Sequence, residues 1–185
     1  MVFDIASGIG GYPAVLCCAD SIAQQMKGSY CLVIHNPSNQ TIRVGALGRV
    51  AFPKGIYVYV GSALGGIEKR VERHLSKRKR LRWHIDYFLS ASEIVSKVYI
   101  PGSSKETECN VARTLMASPD AAVAVPGFGS SDCRCKSHLI FFGDVDPEWA
   151  AETLSMSLTM LSTIYPRTCL IRVHCWSADL CVLSS

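Results

Sequence analysis

Arg73, His74 and Lys77 follow Arg70 by three, four and seven residues, so a helix through them carries all four side chains on one side. Cationic groups beside a titratable imidazole suit the binding of a phosphate, which arginine can grip through two parallel hydrogen bonds. A second group, Cys133, Cys135 and His138, offers soft donors of the kind zinc takes. It supplies three ligands rather than four, and Cys-x-Cys is not the usual knuckle spacing. Cys109 could be the fourth, although nothing in the sequence places it there, and a purely structural loop explains the same residues. His84 and Asp86 stand two apart on an expected helix, so they point to different faces and would not chelate one ion as a pair.

The elements that must position these groups centre on residues 55–63. Ile56 to Val60 is a run of β-branched and aromatic residues suited to a buried strand. Gly61, Gly65 and Gly66 then make a turn with freedom at positive φ and room for a ligand, and a basic helix over 66–77 follows. Upstream, Tyr30 to Ile34 is strand-like and Asn36-Pro37-Ser38-Asn39 is a turn. Thr41 to Ala46 reads as another strand, so segments 29–35, 41–47 and 56–61 are expected to form a three-stranded antiparallel meander. A short helix over 83–90, a strand over 94–100, a helix over 106–116 and a strand over 137–142 complete this part of the chain. Between the last two lies a glycine-rich polar loop, Gly127 to Cys135. Residues 1–27 hold a glycine-rich loop and a possible short helix near Ala19 to Met26. Residues 147–164 could form an amphipathic helix with Leu154, Leu158, Leu161 and Tyr165 on one stripe, or a strand through Leu154, Met156, Leu158 and Met160. The last twenty residues carry no functional signal.

With 185 residues, 49% of them hydrophobic and 18% charged, the chain can bury a real core and is not a disordered polymer. No uncharged apolar run reaches the eighteen or so residues that a membrane span needs. Asp4, with no basic residue before Lys27, makes a poor export signal, so the nine irregularly spaced cysteines are expected to be reduced thiols in the cytoplasm. Net charge is +4, but Glu68 to Arg82 holds eight basic residues against two glutamates, leaving the remainder at −2. Such concentration marks either a polyanion footprint or a solvated helix end.

Gly28-Ser29-Tyr30, then Tyr59-Val60-Gly61, then Arg70 with His74 four residues on, resemble the GIY-YIG nuclease superfamily. Further pieces sharpen the likeness to a little-characterised, mostly archaeal and bacterial branch of domains of unknown function: Tyr57-Val58-Tyr59-Val60-Gly61-Ser62-Ala63, Arg73-His74-Leu75, Trp83-His84-Ile85-Asp86-Tyr87, Glu108-Cys109, and Gly127 to Cys133 running on through Ser137-His138-Leu139. The resemblance spans about residues 27–143, which divides the chain into an extension (1–27), a nuclease-like domain (28–143) and a second extension (144–185). It implies an α/β fold with a small three-stranded antiparallel sheet flanked by helices, and DNA phosphodiester hydrolysis with one Mg²⁺ or Mn²⁺. Carried over by motif, Tyr30, Tyr59, Arg70 and His74 are the catalytic group. Glu108 is the metal ligand, with Glu106 the nearby alternative. Some members of the branch are fused to an endonuclease III type glycosylase, which implies repair of branched or damaged DNA and a glycosylase-type partner. Ser29 stands where the motif has isoleucine, a core-packing change. The long spacer from Tyr30 to Tyr59 requires an elaborated hairpin. The asparagine that many members carry late in the domain has no clear counterpart, with Ser131, Asp132 or His138 as stand-ins.

Hydrolysis of a phosphodiester needs an activated water and neutralisation of charge in the transition state. Arg70 suits the second task, and one carboxylate with waters and phosphate suits a Mg²⁺ site at Glu108. Tyr30 or Tyr59 could take the proton from water if its pKa falls from about 10, and His74 could relay it. Asp86 could orient Arg70 or a neighbouring base, or serve as a cap or ion pair. Arg73, Lys77, Lys79 and Arg80 are expected on the nucleic-acid backbone. The competing class is a DNA-binding accessory domain that keeps the basic face without turnover, which the missing asparagine permits.

Overall fold

The computed structural model of the chain describes residues 27–102, 104–150 and 172–175. Its centre is a pair of nine-residue antiparallel strands, β1 (Gly28–Asn36) and β4 (Gly55–Ala63). Both run through apolar residues on each face, the pattern of strands covered from two sides. On the other side of β1 lies β5 (Glu93–Pro101), also antiparallel, with an irregularity between Val33 and Ile34. Outside β4 come the short strands β7 (Leu139–Phe141) and β6 (Ala122–Val123), and outside β5 comes β8 (Arg172–Cys175), giving the order β6-β7-β4-β1-β5-β8.

Alternation along the strands sorts the side chains into two cores. Tyr30, Leu32, Ile34, Tyr57 and Tyr59 face one way and pack with Ile67 and Val71 of helix α1 (Ile67–Leu75) and Ile85 and Phe88 of helix α2 (His84–Phe88). Cys31, Val33, Val58, Val60 and Val98 face the other way, against Val111, Ala112 and Leu115 of helix α3 (Lys105–Met116). At about 1.5–3 kcal/mol for each fully buried large aliphatic or aromatic side chain, these two layers dominate the stabilisation.

The expected meander is corrected in one respect. Thr41 to Ala46 does not enter the sheet, and the third central strand is β5. Residues of β2 (Gln40–Arg43) pair instead with β3 (Arg49–Phe52) as a separate two-stranded arm. The reason lies in the sequence: Thr41, Arg43, Arg49 and Ala51 are exposed, so this arm has one apolar edge and cannot lie between two covered strands. The arm occupies the long spacer between the tyrosines, the elaborated hairpin that the spacer length requires. Buried Asn36 holds its base, donating from Nδ2 to the carbonyls of Ser38 (2.9 Å) and Pro53 (2.7 Å), and Phe52 stacks on Phe88 at 4.4 Å between centroids.

The expected loop and short helix within residues 1–26 lie outside the described residues. So does the element expected over 147–164, except that 147–150 are helical. The last twenty residues contribute β8, a strand that the sequence does not announce. Among the described residues no helix is long and apolar enough to cross a membrane.

Gly61 is needed for a reason other than turn freedom. It sits opposite Tyr30 in the register, and a Cβ added there would lie 2.5 Å from Tyr30 Oη and 2.6 Å from Cζ. Since Tyr30 is 1% exposed, its ring cannot swing away cheaply. Gly61→Ala should therefore cost about 1–3 kcal/mol in urea unfolding. Gly65→Ala, where a Cβ meets nothing within 4 Å, should stay within about 0.5 kcal/mol of wild type. Equal losses for the two variants would remove this account of Gly61.

Candidate active site and cysteine cluster

Pairing of β1 with β4 sets Tyr30 opposite Gly61 and Leu32 opposite Tyr59, so both tyrosines project from the same face. Their rings lie 6.3 Å apart between centroids, and the His74 ring is 5.7 Å from the first and 6.3 Å from the second. His74 reaches them because Ile67, Val71 and His74 are the buried residues of α1, one inward stripe. It is therefore a core histidine, whereas Lys77 lies beyond the helix end; the four-residue cationic face expected from spacing is divided.

Tyr30 Oη is 2.8 Å from His74 Nε2, and His74 Nδ1 is 3.5 Å from Asp86 Oδ1. A carboxylate only accepts, so a neutral His74 with its proton on Nδ1 turns that proton toward Asp86, within ion-pair range but without hydrogen-bond geometry, and Nε2 then accepts from the Tyr30 hydroxyl. The chain Tyr30–His74–Asp86 is thus oriented to draw a proton from the phenol. Asp86 is fully buried and well held. Arg73 Nη1 and Nη2 donate to its two oxygens at 3.0 and 2.9 Å, and the N–H groups of Arg82 and Trp83 donate to Oδ2 at 2.9 and 3.0 Å. Burial alone would raise the Asp86 pKa, but His74, Arg73 and the two N–H groups outweigh it and hold it far below the ordinary carboxylate range. Burial lowers the pKa of His74, with Asp86 pulling the other way.

Arg70 and Arg73 both lie over the Trp83 ring, at 4.3 and 4.0 Å from its centroid. Trp83 thus shelves the two guanidiniums side by side, a role that sequence spacing alone does not reveal. Arg73 spends its donors on Asp86 and on the Arg80 carbonyl (2.9 Å), so Asp86 orients Arg73 and not Arg70. Lys79 donates to the His74 carbonyl, and burial lowers its pKa. Arg73 and Lys79 therefore brace the site, whereas Lys77, Arg78, Arg80 and Arg82 are exposed.

Both tyrosines feel Arg70 and Glu108. Burial pushes the Tyr30 hydroxyl well above its ordinary range, with Tyr59 and Glu108 adding and Arg70 opposing. Burial likewise raises Tyr59, with Glu108, Asp86 and Asp132 adding and Arg70 opposing. Glu108, in the first turn of α3, is nearly buried, and its Oε1 accepts from His138 Nδ1 at 2.9 Å. A carboxylate has a second oxygen with which it can ligate a hard cation, so one carboxylate plus waters and phosphate fits Mg²⁺ or Mn²⁺ here. Glu106, the alternative, is exposed.

The loop from Gly127 to His138 closes this side. His84 Nδ1 accepts from the Gly129 N–H (3.3 Å), while Asp86 faces α1, so the two do point apart as their spacing requires. Among the stand-ins for the absent asparagine, Asp132 projects its charge on Tyr59, Ser131 is exposed, and His138 is buried against Glu108 and Cys133. Cys109, Cys133, Cys135 and His138 present four ligand atoms all within 4.8 Å of one another. Helix α3 thus supplies the fourth ligand that the sequence could not place. Those donors are sulfur and nitrogen, a poor set for Mg²⁺.

Fold and site together define a small α/β domain in which a sheet tyrosine pair, a helix arginine and histidine, and a carboxylate share one electrostatic neighbourhood. The chain belongs to the family described as Domain of unknown function DUF123, whose model matches residues 29–160. No curated protein and no solved structure matches the chain.

The protonation states make stability pH-dependent with a definite sign. Folded His74 is held neutral, so below about pH 6.5 the unfolded chain binds more protons at this residue, and stability falls as pH falls. Asp86 stays ionised when folded, so below about pH 4 it takes stability away in the same direction. Burial lowers the pKa of His84 as well, so urea melts should show the first loss in wild type between about pH 7 and 5.5 from both histidines, and His74→Gln should make that limb shallower without removing it. An unchanged limb in the variant would mean that His74 is not held neutral.

Proposed function

We propose that this chain is a divalent-metal-dependent endonuclease of the GIY-YIG type that hydrolyses DNA phosphodiesters, in keeping with the ordered motifs of its sequence. The observation that carries the reading is the Tyr30–His74–Asp86 chain lying in the same field of Arg70 and Glu108 as Tyr59. Arg70, propped on Trp83 and free of the Asp86 contact that occupies Arg73, is the cation for a phosphate and for the charge that grows on it in the transition state. As a water oxygen attacks phosphorus, its proton passes to a tyrosine oxygen; at Tyr30 the phenol proton can move to His74 Nε2, and the resulting imidazolium faces Asp86. A divalent ion at Glu108, when bound, supplies charge neutralisation and lowers the pKa of nearby water and phenol. Exposed Lys77 and Arg80 extend a cationic surface beside this site.

A second reading, DNA binding without cleavage, has one observation in its favour. Both tyrosine hydroxyls are buried and held protonated in the absence of a cation.

Two experiments separate them. With Mg²⁺ or Mn²⁺, the wild type should nick plasmid or branched DNA. Arg70→Ala should lose about 10²–10³-fold in rate, as expected for loss of a preorganised charge. Glu108→Gln should abolish metal-dependent nicking while leaving DNA affinity nearly intact, and Tyr30→Phe should slow nicking without opening a cavity. A wild type that binds but never nicks supports the second reading. Nicking by all three variants at the wild-type rate refutes the assigned site.

For binding, Lys77→Ala with Arg80→Ala should lower the slope of log K against log salt by about 0.9 for each phosphate of duplex DNA left without its cation. An unchanged slope would make these residues a solvated helix end.

A further inference from the structure

The four-ligand cluster beside the site has no part in the proposed chemistry, and its geometry is specific. Cys109 comes from the first half of α3, whereas Cys133, Cys135 and His138 come from the loop that leads into β7. These segments are far apart in sequence, yet their donor atoms lie mutually within 4.8 Å. A tetrahedral zinc with Zn–S of about 2.3 Å and Zn–N of about 2.0–2.1 Å sets its ligand atoms roughly 3.5–3.8 Å apart. Cys133 Sγ already stands 3.5 Å from His138 Nε2, the length of one edge of that tetrahedron. The remaining edges need to close by no more than about 1.0–1.3 Å. The grouping is too tight to wrap an iron–sulfur cluster, whose ligands stand around several metal atoms, and it matches a single ion.

The two nitrogens of His138 divide the work. Nε2 faces the sulfurs, and Nδ1 is 2.9 Å from Glu108 Oε1. A zinc-bound histidine almost always donates its other N–H to an acceptor, and a carboxylate is one of the usual partners. His138 has that partner in place.

We infer that Cys109, Cys133, Cys135 and His138 bind one zinc ion as a closed, structural site, and that His138 transmits its position to Glu108. Four protein ligands leave no open position for substrate or water, so the ion staples rather than catalyses. It ties the start of α3 to the loop whose Gly129 N–H is gripped by His84. Binding converts three thiols to thiolates and releases three protons to solvent, with no change of oxidation state. The inference does not depend on the nuclease proposal, since it concerns a different metal on different atoms.

The test uses the purified full chain with neither DNA nor Mg²⁺. Expected is about one zinc per chain surviving dialysis, and, after exchange, cobalt with strong sulfur charge-transfer bands and the visible bands of tetrahedral geometry. Cys133→Ser and Cys135→Ser should lose the ion, while Cys31→Ala, at a thiol buried in the sheet away from the cluster, should keep it. Should the serine variants fail to fold, His138→Cys decides: the cobalt spectrum should shift toward that of a four-thiolate site. Glu108→Gln should weaken zinc binding about 10–100-fold without abolishing it. Wild type with no zinc and only the weak bands of six-coordinate cobalt overturns the site. Unaltered zinc affinity in Glu108→Gln overturns the link to Glu108. Zinc retained by a chain that never nicks DNA would remove the nuclease reading and leave the zinc site standing.

Discussion

The buried carboxylate of Asp86 knots together three parts of the chain. It receives two guanidinium donors from α1 through Arg73, two backbone donors from residues 82 and 83, and the edge of His74. An ionised carboxylate without partners in such a place would be untenable, and removing one partner of a buried pair typically costs about 3–5 kcal/mol. The surroundings are therefore obliged to stay as they are. Arg73 is pinned, Trp83 is pinned by Arg73 and its own N–H, and Arg70 lies on the same ring. The orientation of His74 toward Tyr30 follows from the same anchor.

Sheet and helices then divide the labour. One face of the β1–β4 pair carries the tyrosines and receives α1 and α2; the other carries small and branched side chains and receives α3. Glu108 belongs to the helix of the second face yet acts on the tyrosines of the first. It can do so where β7 ends: the last strand pair is Tyr59 with Leu139, and one further bond, from Val60 N–H to the His138 carbonyl, closes the ladder. Past that point β4 has no strand partner on this edge among the described residues, and the two layers meet around it.

Much of this is legible in residue order. The strand through Ile56–Val60, the following helix and the separate directions of His84 and Asp86 each follow from period and local chemistry. The arm over 40–52 is misread as part of the meander because a short apolar run looks the same whether it joins a central sheet or a peripheral hairpin; only the exposed Arg43 and Arg49 distinguish them. Helical spacing groups His74 with Arg70 and Arg73, but the stripe from Ile67 through Val71 shows that it turns inward. Trp83 and Cys109 are out of reach of such reasoning, because their partners are brought near by folding and no spacing rule joins them.

The placement of β1 bears on how the chain reaches this state. It is the first of the described strands in sequence and lies between two others in the sheet, with partners at residues 55–63 and 93–101. Both pairings are long-range, so the ordering entropy of the intervening chain is lost before the contacts that repay it form. On the ribosome, β1 emerges as a two-sided apolar segment with neither edge satisfied, and it must wait for some sixty-five further residues before the second edge is covered. The two-stranded arm over 40–52 is made during that interval. Arg43 and Arg49, exposed and opposite each other in that arm, place two like charges beside β1, a feature that works against stray strand pairing.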